Sequence, residues 1–301
     1  MAQAYFRNNL FEEQALAARE YLQQRGIRSE LIELFGRGWS PDAWQGLKNY
    51  LQRYGYSPEQ AVQAGLLSQS SGGRIYDRFR GRLTFPITDL SGRVVAFGGR
   101  VIGDGEPKYL NSSDSPIYKK GEFLYGLYQA RSALTKTKEA LLTEGYADVI
   151  SLFQYGFVNS CGVLGTALTY EQVRRLTGFC KCINLVFDGD RAGLEAAKRS
   201  SQLILHQGIK VRVLLLPEGE DVDSFLRKNG KEALKDLLEK AEDGLAFCLR
   251  MVKLESTPRD ILSWALDFLN GLYDSSLQAF YIPKLASGLG LSEKDLRQAS
   301  K

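Results

Sequence analysis

The chain has 301 residues, of which 44% are apolar, 11% aromatic and 25% charged, proportions that exclude a disordered or fibrous protein. Its formal charge of +4 has one source: residues 72–120 hold nine basic and five acidic residues, against seven of each in 1–71 and 23 of each in 121–301. A basic stretch in an otherwise balanced chain points to a polyanionic partner.

In chain order, FEEQALAAREYLQQRG is amphipathic and stops at Gly26. SPDAWQGLKNYLQRYG predicts a helix with Ser40 as N-cap and Pro41 in its first position, and SPEQAVQAG repeats that start with Ser57 and Gln60 at capping-box spacing. YDRFRGRLTF then alternates, so that on a strand Arg78, Arg80 and Arg82 share one face and Phe79 and Leu83 the other. RLTFPITDLSGRVVAFGGRV reads as a hairpin around Asp89-Leu-Ser-Gly92. Arg100, Lys108, Lys119 and Lys120 extend the basic stretch. Tyr109, Tyr118 and Tyr125 interleave with it, a combination suited to phosphate contacts and base stacking.

From about 138 to 228, strand and helix alternate. KEALLTEG, NSCGVLG, CINLVFDGD and KVRVLLLP read as strands. YADVISLFQYG, YEQVRRLTGF behind a Thr169 capping box, RAGLEAAKRSSQLILHQG and EDVDSFLRKNG read as helices. Predominantly apolar runs such as INLVF and VRVLLL suit strands buried on both faces of a parallel sheet, so an α/β doubly wound domain is expected. Residues 230–301 read as helices throughout, enough for a small bundle. The expected division is an α+β basic subdomain over 1–130, an α/β domain over 131–228 and a helical subdomain over 229–301.

No apolar run reaches the ~18 residues of a membrane span, and the N-terminus lacks the apolar core of a secretion signal. Cys161, Cys180, Cys182 and Cys248 suit neither a disulfide framework nor zinc spacing, so a cytoplasmic protein is expected. The one histidine, His206, excludes two-histidine zinc chemistry; before Gly208 it is expected to be a helix C-terminal cation. GGRVIGDG lacks the order of a dinucleotide or P-loop motif. Carboxylates, lysines and metals are left to carry any chemistry.

In an open parallel sheet, ligands bind beyond the carboxyl ends of the strands. Glu144-Gly-Tyr-Ala-Asp148 follows the first strand, Asp188-Gly-Asp190 the third, and Glu218-Gly-Glu-Asp221-Val-Asp223 the fourth. Asp190, Asp221 or Asp223 could each merely cap a helix, and Asp148 could merely favour a helix dipole. Together they form an acidic edge that needs a bound cation, and oxygen-only ligands favour Mg²⁺ or Mn²⁺. Glu144 and Asp188 are poorly placed as caps.

These segments resemble a known family. EGYADV (144–149), DGDRAG (188–193) and the Asp221-Val-Asp223 pair are similar to the Toprim metal-site motifs. YLQQRGI (21–27), YDRFRGRLTFPI (76–87), GRVVAFGGR (92–100), PKYLNS (107–112) and KKGEFLYGL (119–127) resemble segments that accompany Toprim in bacterial DnaG-type primases. The resemblance covers about residues 10–228 and weakens toward the end. It implies a Toprim-type sheet between the basic and helical subdomains, with two or more divalent ions held by Glu144, Asp188, Asp190, Asp221 and Asp223 and supported by Asp148. Glu144, Asp188 and Asp190 would be the catalytic carboxylates. It also implies nucleotide or template contacts by Arg25, Arg78, Arg80, Arg100, Lys108, Asn111 and Lys120; Arg25 and Asn111 rest on the resemblance alone.

The implied activity is synthesis of RNA primers from NTPs on a single-stranded DNA template, giving an RNA–DNA hybrid. The family's zinc ribbon has no Cys/His quartet here, so zinc is not expected, and the replicative helicase would be engaged only through a domain this chain lacks. A monomer is expected. Two other readings compete: a Toprim nuclease or topoisomerase-like strand cleaver, which needs a dedicated tyrosine that no pattern marks, and a non-catalytic nucleic-acid-binding module, which leaves the carboxylates unexplained.

Overall fold

The structure, a computed structural model, describes every residue except Thr166, Ser256, Tyr273, Ser300 and Lys301, and omits the side chains of Glu255 and Ala299. The chain forms two compact units: residues 1–132 with 144–166, and residues 133–143 with the chain from 167 onward.

The first unit opens with α1 (Ala2–Leu10), α2 (Leu16–Gln24) and α3 (Ser29–Leu34). The single helix expected across 11–25 is shorter, because a 3₁₀ turn precedes α2 and Arg19 Nη1 donates to the carbonyls of Leu10 and Glu12 at 2.9 and 2.5 Å. β1 (Gly38–Ser40) follows, then α4 (Gly46–Arg53), α5 (Pro58–Gln63), β2 (Leu67–Gln69) and β3 (Ile75–Asp77). The helix expected to start at Pro41 behind Ser40 thus begins five residues later, at Gly46. Ser40 ends β1 and its hydroxyl donates to the Phe79 carbonyl at 2.5 Å. The start of α4 is capped from outside: Asp77 accepts from the backbone N–H groups of Leu47 at 2.7 Å and Lys48 at 3.0 Å. The capping box of α5 forms as expected.

The hairpin β4 (Arg82–Thr88) and β5 (Val94–Val101), with β6 (Tyr109–Asn111), completes a sheet in the order β1-β4-β5-β6. Asp89 closes the hairpin by accepting from the N–H groups of Ser91 and Arg93. Phe6 of α1 packs edge-on against Phe79 and Phe97, where the core of this unit gathers. α6 (Leu127–Thr137) leads out of the unit into β7 (Glu139–Thr143), and the chain returns for α7 (Tyr146–Gln154) and β8 (Ser160–Gly162).

In the second unit α8 (Tyr170–Thr177), β9 (Cys182–Phe187), α9 (Arg191–His206), β10 (Lys210–Leu215) and α10 (Val222–Glu239) alternate, and β11 (Glu242–Asp243) follows. β7 and β10 run parallel to β9 on its two sides, with Leu142 opposite Leu185 and Leu215 opposite Phe187; β11 is antiparallel outside β10. All six residues of β9 are buried, which is why its run is apolar but for Asn184, whose amide donates to the Ala140 carbonyl at 3.4 Å. α11 (Gly244–Glu255), α12 (Pro258–Asn270), α13 (Ser275–Leu289) and α14 (Glu293–Ala299) complete the unit.

His206 is not the cation expected at a helix end. Its ring packs against Phe268 at 4.9 Å, and burial holds its pKa below the usual value, so it is neutral near pH 7. The helix contributes its dipole there, but desolvation decides.

Candidate active site

The carboxyl ends of β9 and β10 gather acids within the second unit. Asp188 follows the last residue of β9 and is half-buried. Asp190 caps α9, accepting from Gly193 N–H at 2.7 Å, and Asp221 caps α10, accepting from Ser224 N–H at 2.7 Å in a reciprocal capping box. The capping roles are therefore real, and each uses Oδ1 of its carboxylate. Burial raises the Asp188 pKa, and the negative charges of Asp221 and Asp190 raise it further. Two neighbouring carboxylates thus act on Asp188 at one sheet edge, where they make its charge more costly.

Gly189 permits this closeness. A Cβ there would lie 2.0 Å from the Leu216 carbonyl oxygen, so the two strand ends approach only because residue 189 has no side chain. Asp223, in the first turn of α10, is 3% exposed and paired with Arg227 at 3.2 Å. Glu220 pairs with Lys228 at 2.7 Å through Oε1, while its buried Oε2 has no hydrogen-bond partner among the described residues. Among the described residues, no three carboxylate, imidazole or thiolate groups stand close enough to form a ready-made metal cluster. The donor set nonetheless fits a hard divalent cation: oxygens only, with the charges of Asp221 and Asp190 bearing on Asp188, and backbone packed too tightly at Gly189 for a side chain to fill the edge.

Glu144 and Asp148 belong to the first unit. Glu144 lies between β7 and α7, and Asp148 in the first turn of α7, as a dipole-favoured acid would. Between them Tyr146 is buried, its hydroxyl hydrogen-bonded to Asn111 Oδ1 and its ring against Phe85, Tyr109 and Tyr125. Asn111 also donates to the Leu164 carbonyl at 2.9 Å. The side chain singled out for nucleotide contact is thus occupied in tying β6 to the start of α7.

The basic residues lie in the same unit, but not as one strand face. Residues 78–81 connect β3, which pairs only with β2, to β4 of the four-stranded sheet, and Gly81 takes a left-handed φ of +59° just before β4 begins at Arg82. Arg78 donates to Asn111 O at 2.8 Å, Arg82 to Pro107 O at 2.8 Å, and Arg80 lies over Trp44 at 4.2 Å. Arg100 stacks over Tyr21 at 4.3 Å, and Arg25 lies 5.3 Å from the same ring. Lys108 is exposed, and burial lowers the Lys120 pKa against the opposing pull of Asp114. Of the three interleaved tyrosines only Tyr109 reaches solvent; Tyr118 and Tyr125 are fully buried and serve the core. Sequence reasoning missed Tyr21 and Trp44: the pairings of Tyr21 with Arg100 and of Trp44 with Arg80 span tens of positions, although Arg25, four residues after Tyr21, was a local signal.

Residues 5–131 match the family described as DNA primase catalytic core, N-terminal domain, and residues 141–226 match the Toprim-like family. A DNA primase of Pseudomonas aeruginosa is 39% identical over 293 residues, 94% of this chain and 44% of the relative. A DNA primase of Halalkalibacterium halodurans is 44% identical over 227 residues, 75% of this chain and 38% of the relative. The crystal structure of a DNA primase domain from Pseudomonas aeruginosa aligns at 37% identity with a TM-score of 0.90, covering 99% of this chain and 97% of that one.

The chain belongs to the DnaG-type bacterial DNA primase catalytic cores. Its α/β architecture with a Toprim segment is that family's, and the family uses divalent metal ions. The chain spans less than half the length of the two curated relatives. Among the described residues no helix is long and apolar enough to cross a membrane.

Proposed function

We propose that this chain synthesises short RNA primers on single-stranded DNA, transferring nucleotides from NTPs with Mg²⁺ or Mn²⁺. The observation that carries the reading is the crowding of Asp190 and Asp221 on Asp188 at the ends of β9 and β10, a charge distribution that a divalent cation offsets. Asp188, Asp190 and Asp221 would hold the ions, Asp190 and Asp221 through the carboxylate oxygen not used in capping, with Glu144, Asp148 and Asp223 as further acids of the family motif. Bound divalent ions supply the activation of a 3′-hydroxyl and the neutralisation of a leaving pyrophosphate.

The residues of the basic stretch have the complementary task. Arg100 and Lys108 offer charge to the triphosphate, Arg80 and Arg25 to the template strand, and Tyr109 a ring on which a base can stack. Arg78 and Asn111 act by holding this surface in shape. A solved DnaG primase catalytic domain bound to single-stranded DNA is 35% identical, with a TM-score of 0.85, which supports the choice of template. The product would be an RNA–DNA hybrid.

The test is incubation with single-stranded DNA, labelled NTPs and Mg²⁺ or Mn²⁺. RNA products lost in Asp188→Ala support the reading. DNA nicking without NTP incorporation would overturn it in favour of strand cleavage, and DNA binding without either activity would leave only a binding module.

A further inference from the structure

Arg37 stands apart from every other basic residue of the first unit. It is 2% exposed, and its Nε and Nη1 are buried without a hydrogen-bond partner among the described residues. No described carboxylate pairs with it. Its guanidinium instead lies 4.5 Å over the Phe85 ring. Burial lowers its pKa, the neighbouring Tyr125, Tyr21 and Tyr109 act the other way, and the positive charge of Arg100 lowers it further.

The backbone leaves the side chain no alternative direction. α3 ends with Gly36 in the left-handed region at φ +59°, where Gly36 N–H bonds Glu33 O and Arg37 N–H bonds Ile32 O, both at 3.0 Å. On the other side Gly38 packs so closely on Phe6 that a Cβ would lie 2.5 Å from its carbonyl carbon. Arg37 is therefore fixed at both neighbours and projects inward. A buried cation lacking a counterion is a liability that an apolar side chain of equal volume would remove. An incoming anion would remove it too, and a planar guanidinium suits the oxygens of a phosphate.

The same tyrosines face a second guanidinium. Arg100 is partly exposed, 4.3 Å over Tyr21 and 6.0 Å from Tyr109, and no described carboxylate pairs with it either. We propose that Arg37 and Arg100 form one phosphate receptor, in which Arg100, beside Tyr109, meets the phosphate at the surface and Arg37, buried over Phe85 whose ring lies 6.4 Å from that of Tyr109, supplies the second positive charge. The phosphate belongs to a bound nucleotide or to a nucleic-acid strand, so the proposal rests on the function inferred above while adding a residue to it.

The test uses the full chain and Arg37→Met, which keeps the stem and removes the charge. Without ligand the variant melts at a higher temperature than the parent, because a bare buried charge is gone. Inorganic pyrophosphate raises the melting temperature of the parent, and this rise is lost or at least halved in the variant. Affinity for ATP, for a short oligodeoxythymidylate, or for both falls about tenfold at low salt, with the salt slope on the oligomer reduced by about 0.7. Arg37→Lys retains most of the affinity. A fall for ATP alone places a nucleotide phosphate there, and a fall for the oligomer alone places a strand phosphate. Equal pyrophosphate stabilisation of parent and variant, or a variant that melts lower with unchanged affinities, would overturn the receptor. None of these readouts requires primer synthesis. If Asp188→Ala abolishes synthesis while Arg37→Met changes nothing, the receptor fails and the function stands. If no primers form yet Arg37→Met loses the pyrophosphate effect, the reverse holds.

Discussion

Gly189→Ala tests how the acidic edge is built. The new Cβ would begin 2.0 Å from the Leu216 carbonyl oxygen and 3.4 Å from Glu218 N. Both contacts are backbone, so no side chain can rotate away. Reaching even the 3.0 Å lower limit of real contacts requires the ends of β9 and β10 to part by about 1 Å. Overpacking of this kind costs about 1–3 kcal/mol of stability. Its effect on chemistry is expected to be larger in proportion, since a displacement of about 1 Å at a reacting centre costs on the order of 10²-fold in rate. Asp188 sits before Gly189 and Asp221 follows the displaced loop, so their separation changes while every carboxylate is retained. The assay is metal-dependent primer synthesis beside thermal unfolding. A stable variant with parental activity would refute the claim that strand-end closeness sets the carboxylate geometry.

Two further outcomes concern the scaffold. Asp77→Ala removes both acceptors at the start of α4, leaving the N–H groups of Leu47 and Lys48 without them; a loss of about 2–4 kcal/mol is expected in denaturant unfolding, with the m-value unchanged. His206 is neutral when folded because burial lowers its pKa, so the unfolded chain binds a proton that the native state does not. Its contribution is therefore retained above the unfolded value of about 6.5 and lost as pH falls through it. His206→Leu should flatten the decline in melting temperature between about pH 7 and 5, and an unchanged decline would show that other groups cause it.

What could be read from the sequence was what neighbours in the chain decide. The parallel strands β7, β9 and β10 announced themselves by predominantly apolar runs, and the capping boxes at Ser57 and Thr169 by partners three residues away. Asp188, Asp190 and Asp221 were legible because strand ends place them. The true start of α4 was hidden because its cap is thirty residues downstream at Asp77. The connection over residues 78–81 was hidden because alternating arginines imitate a strand, whereas here they link two separate sheets through the left-handed Gly81. Arg37 looked like any basic residue; its burial depends on Phe85 and Tyr125, which no local pattern connects to it.

The division of the chain has a consequence for how the molecule can be made and cut. Residues 133–143 enter the second unit before residues 144–166 complete the first. During synthesis, neither unit is finished when the other begins. A fragment ending at 132 lacks α7 and β8, and one starting at 167 lacks β7, the strand that flanks β9 opposite β10. No single cleavage yields both units whole, so proteolysis between them should leave incomplete halves rather than two independently stable domains.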